Sequence, residues 1–420
     1  MKQVTIGLLG LGNIGGGVWD LIRTFGGELA TRTGVQVRVK KALVLDKAVH
    51  GGHEVPYETL TTEAEDILSD PEISIVCEFL GGEQPAASMM LKALQNGKSV
   101  VTANKMALSL HWDELRAASA ETGAGLYYEA SVCGTIPIIN AIQSPLISNH
   151  VEQVMGIING TTNYILSRMS AEGEDYAAVL ADAQRLGLAE PNPEADVEGY
   201  DAVYKLSILA SLAFHSRVYV ESIYREGITH ITAEDIAFGK EMGYVLKLLA
   251  IGKEVDGRIE ARVHPTFLPK NHPLAQVDGS LNAVFMYGHA FKDLTLQGRG
   301  AGDMPTASAI VGDIIQAAQN QVHPLPYFRP DPIPVTDDWH SKYFLRMKAA
   351  DEPGVLAEVA GLLAREQVSV SAMTQKDATP DGKATLIIIT HSAPEKAVQR
   401  VVKALNPEIC KVENVIRVEE

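Results

Sequence analysis

The run Gly10-Leu11-Gly12-Asn13-Ile14-Gly15 constrains this chain more than any other feature. It follows an apolar, strand-like stretch at residues 4–9 and opens helix-like sequence at residues 16–31. In that context three glycines serve three needs: a tight turn, close approach of the backbone to a pyrophosphate, and close helix–strand packing. The helix N-terminus then faces the negative charge. Further apolar runs bounded by turn signals at 35–45, 73–80, 99–102 and 126–129 bring the count to five candidate strands alternating with helical sequence. That alternation predicts a doubly wound, parallel α/β sheet of Rossmann type. Gly10, Gly12, Asn13, Ile14 and Gly15 are the expected phosphate-binding residues. Asp46, at the end of the second strand, is the candidate for a ribose 2′-hydroxyl. Its neighbour Lys47, or Lys40 and Lys41, could instead neutralise a 2′-phosphate, so NAD and NADP both stay open.

A chain of 420 residues predicts two or three domains at roughly 100–200 residues each. From Ser131 the texture changes to longer helical segments, with candidates at 162–170, 176–186 and 201–214 and strand-like stretches at 260–267 and 282–288. A further helix is expected at 305–319 and is expected to pack back on the first domain. Pro324, Pro326, Pro330, Pro332 and Pro334 are too dense for a helix or a central strand and mark a linker over 322–340. Beyond it, segments at 342–349, 354–366, 368–375, 384–391, 394–405 and 412–418 read as βαββαβ, the ferredoxin-like order. The expected boundaries are therefore 1–130, 131–321, 322–340 and 341–420.

The formal charge of −16 argues against nucleic acid and anionic lipid surfaces as partners, because clustered Lys and Arg carry such binding. Cys77, Cys133 and Cys410 are too few and too scattered for a disulfide framework or a zinc site. The beginning of the chain lacks the pattern of a signal peptide, and no run reaches the roughly 20 apolar residues of a membrane helix. The expectation is a cytoplasmic protein with reduced thiols.

Residues 201–214 carry only two charges, Asp201 and Lys205, on a stretch that is otherwise apolar nearly all round, the pattern of a buried helix. Four residues apart, the two lie on one face near the helix N-terminus. Upstream, Glu190, Asp196 and Glu198 sit in or beside a proline-containing loop. The plain reading is an ordinary i,i+4 ion pair. The functional reading is a site where Lys205 exchanges a proton with a substrate oxygen while carboxylates hold a substrate cation. Hydride transfer to or from a nicotinamide needs such a group, since the alcohol proton must leave as the carbonyl forms.

Several longer runs carry a resemblance: Val101-Thr102-Ala103-Asn104-Lys105, Tyr128-Glu129-Ala130-Ser131-Val132, Gly156-Ile157-Ile158-Asn159-Gly160-Thr161-Thr162-Asn163, Gly187-Leu188-Ala189-Glu190, Asp196-Val197-Glu198-Gly199-Tyr200-Asp201 and Gly298-Arg299-Gly300-Ala301-Gly302. In these the chain resembles homoserine dehydrogenase over its whole length. The resemblance implies reversible, NAD- or NADP-dependent interconversion of L-aspartate 4-semialdehyde and L-homoserine, with 131–321 as the catalytic and dimerisation domain. It implies Lys205 as proton donor and acceptor, with Lys105 between cofactor and substrate. It implies substrate binding by Glu190, Asp201 and the neighbouring Asp196, and places Gly187 and Gly302 among the cofactor-binding residues. It further implies a structural sodium ion held by the Glu129 side chain and the backbone carbonyls of Val132, Gly134 and Ile136. Two departures stand out: Cys133-Gly134-Thr135 replaces a glycine-rich segment, and Leu188 stands where many relatives have tyrosine.

Asp351-Glu352-Pro353-Gly354-Val355-Leu356 ahead of a helix resembles the ACT domain, a module that pairs through its sheets and often binds amino acids. This implies feedback inhibition by L-threonine, with Gly354 in the contacting turn, or a module retained for oligomerisation alone. A homodimer, or a tetramer joined through the modules, is expected. Two rival functions are a phosphorylating aldehyde dehydrogenase using Cys133 as nucleophile, which needs an activated thiolate, and a non-catalytic amino-acid sensor.

Overall fold

The computed structural model describes residues 1–48, 53–319, 328–376, 379 and 382–419. Residues 322–327 of the expected linker lie outside that set. The chain divides into two compact units, each assembled from separated segments.

The first unit comprises Met1–Val154, Tyr204–Glu221 and Asn282–Pro332. Its sheet contains β1 (Lys2–Leu9), β2 (Val35–Leu43), β3 (Leu60–Thr61), β4 (Ile75–Glu78), β5 (Ser99–Thr102) and β6 (Leu126–Tyr127). They lie in the order β3-β2-β1-β4-β5-β6, with every pairing parallel. Helices on both faces leave the central strands dry, and Ile6, Leu8, Leu9, Val76 and Val101 are buried accordingly. The strand order reverses between β1 and β4, which opens a crevice at the carboxyl ends of the strands, where doubly wound sheets bind their ligands.

Helix Asn13–Thr33 packs against helix Asp303–Ala318, the one expected at 305–319. Gly17 permits the approach: a Cβ there would lie 3.2 Å from both the Ala307 methyl and the Asp303 carbonyl oxygen. Ala307, Ile310 and Ile314 thereby join Ile6, Leu8 and Val18 in one core. The strand expected at 126–129 stops at Tyr127 and gives way to a 3-10 turn over Glu129–Ser131. The Glu129 N–H leaves the ladder to donate to Asp313 Oδ2, at 2.9 Å.

The second unit comprises Met155–Val203, Ser222–Leu281 and Ile333–Glu420. Six strands of its sheet run in the order Tyr244–Val255, Arg258–Pro269, Cys410–Val418, His340–Ala350, Lys383–Thr390, Val370–Gln375. The last four, with helices Val355–Arg365 and Glu395–Ala404, form the expected βαββαβ ferredoxin-like module around Tyr343, Leu345, Val359, Leu386 and Val398. The module is continuous with the sheet that precedes it, because Cys410–Val418 pairs in parallel with Arg258–Pro269 through Thr266 opposite Arg417 and Phe267 opposite Val418. Residues 335 and 336, inside the expected linker, also pair with this sheet, opposite Ile259 and Glu260. Among the described residues no helix is long and apolar enough to cross a membrane.

Candidate active site

The glycine loop is shaped by backbone crowding. Gly10 has φ +106°, and a Cβ on Gly15 would lie 2.3 Å from the Gly10 carbonyl oxygen, so neither position accepts a side chain. A Cβ on Gly12, by contrast, would meet only open space, on the side where a ligand would approach. Gly12 caps helix Asn13–Thr33 with no side-chain hydrogen bond, which leaves the first-turn N–H groups and the positive end of the helix dipole for an anion. Gly10 and Gly12 open onto a cavity of about 700 Å³ that Leu43, Asp46, Thr62 and Phe79 also line. Asp46 Oδ1 accepts its own turn's Ala48 N–H at 2.9 Å. These residues fit a dinucleotide: a phosphate cradle at the helix end and, beside it, a roomy cleft with a carboxylate at its rim.

Asn13 and Ile14 also line a second cavity, of about 290 Å³, together with Lys105, Lys205, Ser131, Cys133 and Gly302. Lys205 belongs to helix Tyr200–Ala213, whose flanking residues Leu206, Ile208 and Leu209 are buried, so the helix is anchored and the half-buried lysine is held at the cavity wall. Lys105 is the first residue of helix Lys105–Leu110, and its position is fixed by a chain of polar contacts. Asn104 caps that helix by accepting from Ala107 N–H at 3.0 Å, and its amide donates to Gly82 O at 2.8 Å and to Glu78 Oε1 at 3.4 Å. Thr102 Oγ1 donates to Glu78 Oε2 at 2.6 Å. Burial pushes the Glu78 carboxyl up, and these donors oppose the shift. Gly302, at φ +114°, caps helix Asp303–Ala318, so a second helix begins at the same cavity. Cys133 lines it from a left-handed backbone position, φ +59°.

The acidic residues lie in the second unit. Asp196 and Asp201 are drawn together by Asn159, whose amide donates to Asp196 Oδ1 at 2.7 Å and to Asp201 Oδ2 at 3.0 Å. The same side chain caps helix Gly160–Glu172, accepting Thr162 N–H at 2.9 Å, so one residue fixes both a helix start and a carboxylate pair. Glu190 is exposed on the loop, and its carbonyl accepts from the Gln184 amide at 3.1 Å. Gly187, at φ +72°, ends the preceding helix turn. Glu78, Asn159 and Asp313 carry no motif of their own. The sole signal available for Asn159 was its place inside the Gly156–Asn163 run.

Glu129 lies at the base of the 131–136 turn. Burial raises its carboxyl to about 7 against the pull of the Ile139 and Asn140 N–H groups, at 2.9 and 2.8 Å. Each carboxylate oxygen thus accepts one donor and keeps a lone pair. Val132, Gly134 and Ile136 follow within the turn, with Cys133 and Gly134 both left-handed. A buried carboxylate beside a turn of carbonyls suits a hard monovalent cation. Among the described residues no cluster of His, Cys, Asp and Glu side chains is built for a transition metal.

The parallel sheet, its glycine cradle and two lysines on an adjoining cavity define a dinucleotide-dependent oxidoreductase. Residues 10–129 match the homoserine dehydrogenase NAD-binding domain, residues 137–315 the homoserine dehydrogenase domain, and residues 343–409 the ACT domain. The homoserine dehydrogenase of Corynebacterium glutamicum is 42% identical over 433 aligned residues, covering 100% of this chain and 96% of the relative. That of Bacillus subtilis is 37% identical, covering 97% and 95%. A crystal structure of a homoserine dehydrogenase from Thiobacillus denitrificans superposes with a TM-score of 0.92 at 40% identity, covering 100% of this chain and 99% of that one. The chain belongs to the homoserine dehydrogenase family, NAD(P)-dependent oxidoreductases that act on a CH–OH group.

Proposed function

We propose that this enzyme interconverts L-homoserine and L-aspartate 4-semialdehyde, with Lys205 as the proton donor and acceptor. The observation that carries the reading is the shared cavity: Lys205 and Lys105 line the same cavity as Asn13 and Ile14, the first residues of the phosphate-binding helix. The nicotinamide, when bound, supplies or receives the hydride. Lys205 gives its proton to the aldehyde oxygen in one direction and takes it from the alcohol in the other. Lys105 adds a second positive charge beside the oxygen on which negative charge develops. Asp201, Asp196 and Glu190 hold the substrate ammonium. Gly10, Gly12, Asn13, Ile14 and Gly15 bind the pyrophosphate, Asp46 the ribose, and Gly187 and Gly302 approach the cofactor as bare backbone. A structural helix Tyr200–Ala213 with a surface ion pair, the plainer alternative, leaves the cavity position of Lys205 without a purpose. A complex of a hyperthermophilic archaeal homoserine dehydrogenase with NADPH, 26% identical over 76% of this chain, keeps the phosphorylated cofactor in view; NAD and NADP both suit the cleft.

The same reading takes 1–130 as the cofactor domain, 131–321 as the catalytic and dimerisation domain, 322–340 as a connector and 341–420 as the regulatory module. Glu129 with the carbonyls of Val132, Gly134 and Ile136 would hold a structural sodium ion. Strand Val370–Gln375 ends its sheet with every residue exposed, an open edge suited to pairing with a second copy. Gly354, at φ +103° before helix Val355–Arg365, supports a turn that receives L-threonine.

The deciding experiment follows homoserine-dependent reduction of NAD and NADP by the full chain and by Lys205→Ala. Turnover that collapses in the variant is expected, whereas no turnover with either cofactor would return the sensor reading to the front. Cys133→Ala is expected to keep turnover, and its loss would favour the thiol mechanism instead. Titrating L-threonine against the full chain tests the module; insensitivity leaves it an assembly element.

A further inference from the structure

The acidic loop is fastened from behind by a short segment that the last strand of the chain grips in turn. Tyr224 and Arg225 pair with strand Arg258–Pro269 opposite Arg262 and Val263, and the Glu226 N–H donates to the Val263 carbonyl at 2.8 Å. From this support the segment reaches the loop at several points. Ile228 N–H donates to Val197 O at 2.8 Å, Thr229 Oγ1 to Glu198 Oε1 at 2.8 Å, and the Arg225 guanidinium to the Glu198 carbonyl. Gly227 lies so close that a Cβ would come 2.5 Å from Val197 O and 2.7 Å from Glu198 Cα. Val197 and Glu198 stand between Asp196 and Asp201.

On its other side the segment is held by Arg417 of strand Cys410–Val418. Arg417 Nη1 donates to Glu226 Oε2, and Nη2 donates to the Tyr224 hydroxyl at 3.0 Å, which itself donates to Glu226 Oε2 at 2.9 Å. Glu395 anchors the same guanidinium within the module, at 2.6 and 3.2 Å. Arg417 is 1% exposed, and its links to Glu226, Tyr224 and Glu395 are buried or part-buried, so little room exists for one of them to move without the next.

We propose that Arg417 and Glu226 are positioning residues for substrate binding: through residues 224–228 they set the loop that carries Asp196 and Asp201, and the C-terminal module thereby helps fix affinity for the amino-acid substrate. This rests on the reading of Asp196 and Asp201 as the groups that hold the substrate ammonium. Neither proposed residue touches the ligand, so the signature is a change in substrate affinity with the chemical step preserved.

The test measures steady-state constants of the full chain carrying Arg417→Met, Arg417→Lys, Glu226→Gln, Tyr224→Phe or Asp201→Asn. In Arg417→Met and Glu226→Gln the KM for homoserine is expected to rise about tenfold while kcat and the dinucleotide KM stay within about twofold. Arg417→Lys, which keeps the charge and loses the fork, is expected to recover part of that loss. Tyr224→Phe removes one hydroxyl and keeps the ring, so it decides the matter even if the arginine variants do not fold; a rise of about threefold in homoserine KM alone is expected. An unchanged homoserine KM in Tyr224→Phe, a parallel rise in both KM values, or a fall in kcat alone overturns the inference. If Asp201→Asn raises the homoserine KM and the Arg417 and Tyr224 variants do not, this inference fails and the substrate reading stands. If Asp201→Asn leaves it unchanged, both fall.

Discussion

Lys205 and Arg262 are both cations withdrawn from bulk water, and the protein treats them in opposite ways. Lys205 stands half-buried on the wall of a cavity of about 290 Å³, among backbone that is largely glycine and short side chains. Arg262 has no exposed surface; it is bound by Glu260 and by Glu419, the latter at 2.5 Å, and its guanidinium lies 5.1 Å from the Trp339 ring centre. A cation on a cavity wall faces volume that an arriving molecule can enter. A cation that donates to carboxylates on its own strand and just beyond strand Cys410–Val418 ties those strands together. Burial of charge alone therefore does not single out a candidate for chemistry; burial beside a cavity adds the room that a substrate needs.

This contrast is broken most directly by replacing each cation with methionine. Lys205→Met should lower turnover by about 10³-fold, while its stability in urea unfolding changes by less than about 1 kcal/mol. Arg262→Met should do the reverse, costing about 3–5 kcal/mol in urea unfolding because Glu260 and Glu419 lose their buried partner. If Lys205→Met proves the more destabilising of the two, the distinction collapses.

A second test uses acid. His264 is fully buried and its protonation is driven down to about 3, first by desolvation and then by the charges of Arg417 and Arg262. The unfolded chain takes up this proton below about pH 6.5, so stability falls with pH by about 1.4 kcal/mol per unit from there toward pH 3. Glu226 and Glu419 act in the same direction lower down. Burial would raise both carboxyls, yet His230 and Arg417 around Glu226, and Lys253 and Arg262 around Glu419, hold each near 2. Their stabilisation is complete above about pH 4.5 and is lost as pH falls through 2. Thermal melts of His264→Phe should flatten the slope between pH 6.5 and 4.5 and leave the steeper loss below it; an unchanged upper slope would assign it to other groups.

The smallest effect belongs to Asn159, which joins both kinds of role. Asn159→Ala should cost about 1 kcal/mol through the lost helix cap and raise the homoserine KM several-fold as Asp196 and Asp201 lose their bridge. A stability loss without any change in KM would reduce Asn159 to a cap.

Much of this was legible in one dimension. The glycine loop, the alternating strands and helices, the βαββαβ order and the buried helix bearing Lys205 are local or periodic patterns, set by what each backbone segment and side-chain face can satisfy within a few residues. Strand Tyr244–Val255 escaped such reading, since its long apolar run lacks the polar alternation that marks a half-buried strand. Tertiary structure alone decided which polar groups meet. Asp313 receives the Glu129 N–H from 184 residues away, Arg417 binds Glu226 across 191, and Asn159 bridges two carboxylates 37 and 42 residues distant. No spacing rule encodes such contacts, because a buried donor requires an acceptor in space and places no condition on where in the chain that acceptor comes from.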